Sequence, residues 1–283
     1  MTWTVAVSAA ERAAGTMSPD TERLALATLR EQGCVLLRGA FDPALIDDLA
    51  REFSARYGAF DAKQMAAMAL TPPPNPLIEV GDARFEIAIS MSGVFARPQV
   101  FANPLLHRFL GGVLGEDLRL SGFTAVVSHP GAGLQHPHRD HRFLFPGSAQ
   151  SNAVPTYAIN VSVPLIDVDE ATGPTAIWPG SHKWAEDFIP DYYALNVPFR
   201  RGDAVLIDYR TLHTGLPNAG TRVRPILYMV YARTWFFDDV NHIGRAALDM
   251  TIEQFAQMPH ELHPLLSRAY SQAMRARWAS SRR

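Results

Sequence analysis

The chain has 283 residues, 47% of them hydrophobic and 19% charged, with a formal net charge of −2. This supports a sizeable core in one domain. The absence of any basic or acidic block argues against a nucleic-acid partner, and no run approaches the roughly 18 apolar residues of a membrane helix. The single cysteine, Cys34, rules out an internal disulfide framework; with no signal-peptide pattern at the start, the expected setting is soluble, reducing and cytoplasmic.

In chain order, residues 1–18 read as a loose lead-in. Ser18-Pro-Asp20 is a helix start, and Leu24, Ala27 and Leu29 fit a short helix to Gln32 that Gly33 stops. Cys34 to Arg38 reads as a buried strand, with Cys34 a small buried hydrophobe rather than a nucleophile. Asp42-Pro43 opens a second helix, with Leu45, Ile46, Leu49 and Phe53 at helical spacing. Residues 60–105 contain Thr71-Pro-Pro-Pro-Asn-Pro76, which forms neither regular helix nor sheet. Apolar islands, Ala66–Met68 and Phe85–Met91, flank it, and an irregular covering segment is expected. Pro104 to Leu114 reads as a helix ending at Gly115.

From Leu118 the texture changes. Short runs rich in β-branched and aromatic residues alternate with Gly, Pro and Asn turns: Leu120–Ser128, Tyr157–Leu165, Thr175–Trp178, Ala204–Tyr209 and Ile226–Thr234. Such spacing predicts an all-β sandwich or barrel. Ala246 to Trp278 returns to helical spacing, and the Arg-rich end reads as a solvated helix. The fold class expected is mainly β, a jelly roll with surrounding helices. Residues 1–283 form one domain in this reading: core at about 118–235, helices and covering segment over 19–117, and a helical tail over 246–283.

Chemistry concentrates in Gln135-His-Pro-His-Arg-Asp140. Residues two apart on an extended segment face the same way, so His138 and Asp140 converge, and one imidazole with one carboxylate suits a divalent transition metal such as Fe(II). A second histidine completes the two-His-one-carboxylate triad of oxygen-activating iron sites. The best candidate is His213, in Tyr209-Arg-Thr-Leu-His213 after a predicted strand. Arg224, farther on, offers the fork of donors that a keto acid's free carboxylate needs.

These pieces resemble the phytanoyl-CoA dioxygenase family of Fe(II)/2-oxoglutarate oxygenases over roughly residues 20–240. Gln135-x-x-His138-x-Asp140 is similar to its first metal motif. Gly173-Pro-Thr-Ala-Ile-Trp-Pro-Gly-Ser-His182, Gly202-Asp203, His213, Pro217-Asn218 and Arg224 follow in the family's order. The resemblance implies a double-stranded β-helix with Fe(II) on His138, Asp140 and His213. It implies 2-oxoglutarate anchored by Arg224, with dioxygen as oxidant, and hydroxylation of a small molecule with release of succinate and carbon dioxide. Gln135 either touches 2-oxoglutarate or substrate from the cavity wall or makes a loop-stabilising hydrogen bond. Desaturation, cyclisation and epoxidation use the same cofactors. A cupin-type metalloenzyme without 2-oxoglutarate and a non-catalytic binding protein are the rival classes. Asp140 disfavours halogenation.

One departure stands out: the family's hydroxyl two residues after the distal histidine is here Gly215, with Thr211 and Thr214 as nearby alternatives. Arg222 competes with Arg224, since two residues apart on a strand they share a face. Asn160 interrupts an apolar strand and faces either cavity or solvent. His136, His141 and His182 read as loop-shaping or structural. Met65, Met68, Leu70, Phe85, Ile87, Met91 and Phe95, if they face the cavity rather than pack on the barrel, imply a substrate with substantial apolar surface; Arg84, Arg97 and Arg142 are equally candidates to meet a substrate acid.

Overall fold

The computed structural model describes residues 3–71, 75–148, 150–185, 188–190, 195–196, 198–238, 240–242 and 247–281. The N-terminal part runs β1 (Thr4–Ala6), α1 (Ala9–Ala14), α2 (Pro19–Gln32), β2 (Cys34–Arg38), α3 (Pro43–Tyr57), α4 (Ala62–Ala69), β3 (Leu77–Gly81), β4 (Arg84–Ala88), α5 (Pro98–Phe101) and α6 (Pro104–Leu114). Then follow β5 (Arg119–Ser128), α7 (Gln150–Ala153), β6 (Ala158–Pro164), β7 (Thr175–Ile177), β8 (Leu195–Asn196), β9 (Ala204–Asp208), β10 (His213–Gly215), β11 (Arg224–Ala232), α8 (Ile252–Gln257) and α9 (Ser267–Ser280).

Local chemistry sets the helix ends. The Ser18 hydroxyl accepts from the Thr21 N–H, Pro19 occupies the first turn, and Gly33 at φ +72° closes α2 with its N–H on the Leu29 carbonyl. Asp42 and Asn103 cap α3 and α6 in the same way, each ahead of a proline.

Eight strands form one sheet in the order β1-β2-β9-β6-β11-β5-β4-β3, antiparallel except for the β1–β2 pair. A smaller sheet, β10-β7-β8, lies apart from it. Alternation along the strands divides the large sheet into two faces. Phe85 and Ile87 of β4, Ile159, Val161 and Val163 of β6, and Leu227 and Met229 of β11 join α2, α3 and α6 in the main apolar core. Their neighbours Arg84, Glu86, Thr124, Asn160, Arg224 and Tyr228 turn the other way and line a cavity of about 430 Å³. This is the jelly-roll architecture expected of the sequence.

Two expectations fail. The lead-in contains β1 and α1: Thr4–Ala6 pairs in parallel with Leu36–Arg38, a partner outside any local pattern. The covering segment is not irregular throughout, because it supplies α4 and the β3–β4 hairpin at the sheet edge, with β4 in register on β5. Of its proline run, Pro72 to Pro74 lie outside the described residues, as does Ala246 at the start of the tail. Met65, Phe85, Ile87, Met91 and Phe95 pack in the main core and do not line the cavity, while Met68 and Leu70 are exposed. Among the described residues no helix is long and apolar enough to cross a membrane.

Candidate metal and cosubstrate site

The segment around Gln135 runs antiparallel beside β10. His138 and His213 exchange both main-chain hydrogen bonds at 2.9 Å, and the Gln135 N–H donates to the Gly215 carbonyl at 3.0 Å. This pairing sets the two imidazoles side by side, ring centroids 4.5 Å apart. Asp140, two residues beyond His138, brings Oδ1 to 3.4 Å from His213 Nε2. Ligand atoms of His138, Asp140 and His213 all lie within 4.8 Å of one another.

Each imidazole is oriented by its other nitrogen. His138 Nδ1 meets the His136 carbonyl at 2.9 Å, and His213 Nδ1 meets the Thr211 carbonyl at 3.0 Å. A carbonyl only accepts, so Nδ1 carries the proton and the Nε2 lone pair is left available to a metal. Loss of hydration, with His213 adjoining, pushes His138 down to about 3, so the ring is neutral at ordinary pH. Burial raises the Asp140 carboxyl, and His213 opposes that shift.

The Gly173–His182 stretch supports this arrangement from behind. Ser181 Oγ accepts from the Leu212 N–H at 2.8 Å, fixing the residue before His213. Gly173, at φ +77°, lies against the main chain of Leu216 and Pro217, where a Cβ would clash. Its carbonyl accepts from Arg224 Nη1. His182 packs against Gly33 with Nε2 on the Arg30 carbonyl, and His141 lies edge-on to Tyr157 and Phe236; both are structural. His136 lines the cavity.

Arg224 opens β11 and points into the cavity, 1% exposed. Arg222 precedes the strand, is 54% exposed and meets Asp169 at the surface, so the two do not share a face. Strand order places a second arginine beside Arg224. Arg84 on β4 and Arg224 on β11 are both in register with Ser128 of the intervening β5, which puts both guanidinium groups on one face. Arg84 donates to the carbonyls of Gly133 and Leu216 at 3.0 and 2.9 Å. Burial, then Arg84, pushes Arg224 down to about 10. The Nε of each is buried with no hydrogen-bond partner. Arg84 also fills the space a side chain at Gly215 would need, together with Gln135. Gln135 lines the cavity and donates from Nε2 to the Val80 carbonyl at 3.3 Å. The Thr211 and Thr214 hydroxyls donate instead to the carbonyls of Gly33 and Gln135, so neither takes the place of the missing hydroxyl.

Beyond the triad the wall carries Glu86, Thr124, Asn160, Tyr209, Asn241 and His242. Val80, Val126, Tyr228 and Val230 lie among them, so the lining mixes polar and apolar surface, none of the latter from the methionines and phenylalanines of the covering segment. Of the three arginines offered for a substrate acid, Arg84 alone lines the cavity, and the alternation Arg84-Phe85-Glu86-Ile87 carries a period-two signal for it; Thr175 is a wall residue to which no motif assigned a role.

A family model for phytanoyl-CoA dioxygenase matches residues 29–226. The chain is 28% identical over 214 residues to "Dioxygenase af480" of Aspergillus fumigatus, covering 74% of this chain and 66% of that protein. It is 26% identical over 152 residues to "Iron/alpha-ketoglutarate-dependent dioxygenase ausO" of Aspergillus calidoustus, covering 50% and 51%. The chain thus spans between about half and two thirds of the length of these curated relatives. Among solved structures, the epimerase SnoN in complex with Fe3+, alpha ketoglutarate and nogalamycin RO superposes with TM-score 0.55 at 20% identity, over 76% of this chain and 85% of that one. HygX from Streptomyces hygroscopicus with nickel, 2-oxoglutarate and hygromycin B gives 0.57 at 16%, over 76% and 88%. At such identities the likeness is one of fold.

Proposed function

The chain belongs to the phytanoyl-CoA dioxygenase family, and from that premise we propose that it is an iron(II)/2-oxoglutarate-dependent oxygenase that hydroxylates an unactivated C–H bond of a small, polar, multiply functionalised metabolite. The observation that carries this reading is the pairing, in one cavity, of a two-His-one-carboxylate donor set with two buried arginines that have no acidic partner among the described residues. The donor set suits Fe(II). The arginines suit the free carboxylate of a cosubstrate whose other end binds the metal. Relatives carrying iron and alpha-ketoglutarate in their names, and neighbours solved with such ligands, support it.

In this reading His138, Asp140 and His213 hold the metal, with the Nδ1 protons of both histidines kept on main-chain carbonyls. Arg224, backed by Arg84, binds the far carboxylate of 2-oxoglutarate, and Gln135 closes the wall beside them. Iron with 2-oxoglutarate and dioxygen supplies the oxidising power, releasing succinate and carbon dioxide. The chain's own share is to fix the reactants, keep the metal ligands deprotonated and shield the reaction from water. Glu86, Thr124 and His242 meet the substrate, and their polarity favours a ligand with hydroxyl or amino groups; SnoN and HygX were solved with compounds named nogalamycin RO and hygromycin B. Residues 1–283 act as one domain, supported by β1 and β3 closing opposite edges of the same sheet. Cys34 is buried, and burial pushes its thiol up to about 12, so it takes no part as a nucleophile.

The test is anaerobic titration of the metal-free protein with Fe(II) and then 2-oxoglutarate, following the weak visible charge-transfer band of the chelate. A band that needs both additions, and that disappears together with succinate release in His138→Ala, Asp140→Ala and His213→Ala, is expected. Bound iron without a band points to a cupin-type enzyme; no iron binding points to a binding protein.

A further inference from the structure

Asn160 sits within β6, between Ile159 and Val161, which face the apolar core, while its own side chain lines the cavity at 5% exposure. Its register partners on the neighbouring strands are Val230 and Ile207. Packing therefore gives no reason for an amide here. The amide has one hydrogen bond: Nδ2 donates to Asp140 Oδ2 at 3.3 Å. The other carboxylate oxygen, Oδ1, is the one turned toward His213 Nε2. The two oxygens of Asp140 thus have separate tasks, one facing the metal-ligand cluster and one facing Asn160.

The orientation of the amide follows from chemistry. A carboxylate that holds a metal is ionised and only accepts, so the NH2 end must face Asp140. That leaves Asn160 Oδ1 buried without a hydrogen-bond partner among the described residues. An unsatisfied buried carbonyl destabilises a fold, and a leucine, with the same branched shape, would avoid it. The main chain of Asp140 is held from another direction by Asn241, whose Nδ2 donates to its carbonyl at 2.6 Å.

We infer that Asn160 is a positioning residue for the metal centre: its Nδ2 holds Asp140 Oδ2, so that the carboxylate presents Oδ1 on the side of His213 Nε2, where the triad would hold a metal. The inference rests on the iron/2-oxoglutarate reading above. It predicts that in a leucine variant stability rises while metal affinity falls, which a side chain serving only the fold would not do.

The experiment uses Asn160→Leu and Asn160→Ala in the full chain, with Fe(II) and 2-oxoglutarate as probes. The metal-free Leu variant is expected to melt a few degrees above the unsubstituted protein, and the Ala variant below it. Both should bind Fe(II) about 10- to 100-fold more weakly, the range typical for loss of a partner that orients a metal ligand, with the charge-transfer band displaced in wavelength. Unchanged iron affinity with an unmoved band in both variants overturns the inference. So does a Leu variant that loses iron and also melts lower, because that marks a structural role. If the unsubstituted protein gives no band at all, the oxygenase reading itself fails and takes this inference with it.

Discussion

Asp208 and Arg210, at the end of β9, form a buried ion pair in which Nε and Nη2 meet the two carboxylate oxygens at 2.9 and 2.8 Å. Thr156 adds a hydrogen bond to the same carboxylate, and Arg210 Nη1 reaches the carbonyls of Ser151 and Val154. Burial alone would raise the Asp208 carboxyl, and the guanidinium overrides it and holds the group below its ordinary range. Arg84 and Arg224, across the same sheet, are as deeply buried but are two cations side by side, served by main-chain carbonyls and no acid among the described residues. One pair is complete within the fold. The other has donors left over, which the proposed cosubstrate carboxylate would take up. Buried charge left uncompensated marks a place where stability has been given up for binding.

Arg210→Ala is the harshest test of this contrast. It leaves the Asp208 carboxylate buried without its partner, and a loss of about 3–5 kcal/mol is expected, measured as a fall in the denaturant midpoint. Arg224→Met should act in the opposite direction. Removing one of two adjacent cations offsets the loss of the bond to Gly173, and the metal-free protein is expected to gain about 1 kcal/mol. Its requirement for 2-oxoglutarate should rise steeply, on the order of 30-fold or more, as expected when one partner of a buried charge pair is truncated. Equal destabilisation by both substitutions would show that Arg224 is satisfied by the fold alone, and would remove the distinction between the two pairs.

What the sequence disclosed follows the range of the interactions involved. The helices over Pro19–Gln32 and Pro104–Leu114 were legible because their caps and stops are local: serine or asparagine before proline, glycine after the last turn. His138 and Asp140 were legible because a two-residue spacing on extended chain puts them on one side, and His213 because an ordered series of motifs surrounds it. Arg84 was not, because its place beside Arg224 depends on β5 lying between β4 and β11, a matter of strand order that no local pattern encodes. The same holds for β1, whose three residues find their partner more than thirty positions away. Asn160 was half legible: alternation said it differed from Ile159 and Val161, but only the sheet's two faces decide that it looks at Asp140 rather than solvent. In the covering segment the prolines outweighed the alternating Arg84-Phe85-Glu86-Ile87, and the hairpin was missed.

A last comparison sets the cavity imidazole of His138 against the rest of the titrating chain. Burial, with His213 adjoining, pushes His138 from its ordinary 6.5 down to about 3. The unfolded chain therefore takes up a proton at this site below about pH 6.5 that the folded chain refuses. The stability it contributes is fully present above that pH and is lost as pH falls toward 3. The slope for one such group is at most about 1.4 kcal/mol per pH unit. Burial also lowers His107, His129 and His182, so the whole metal-free protein should weaken on acidification, and the comparison lies in the difference between variants. His138→Gln is expected to give a shallower fall in melting temperature between pH 7.5 and 4.5 than the unsubstituted chain. Parallel curves would mean that His138 takes up its proton as readily in the folded chain as in the unfolded one, and that the cavity does not hold this imidazole ready for a metal.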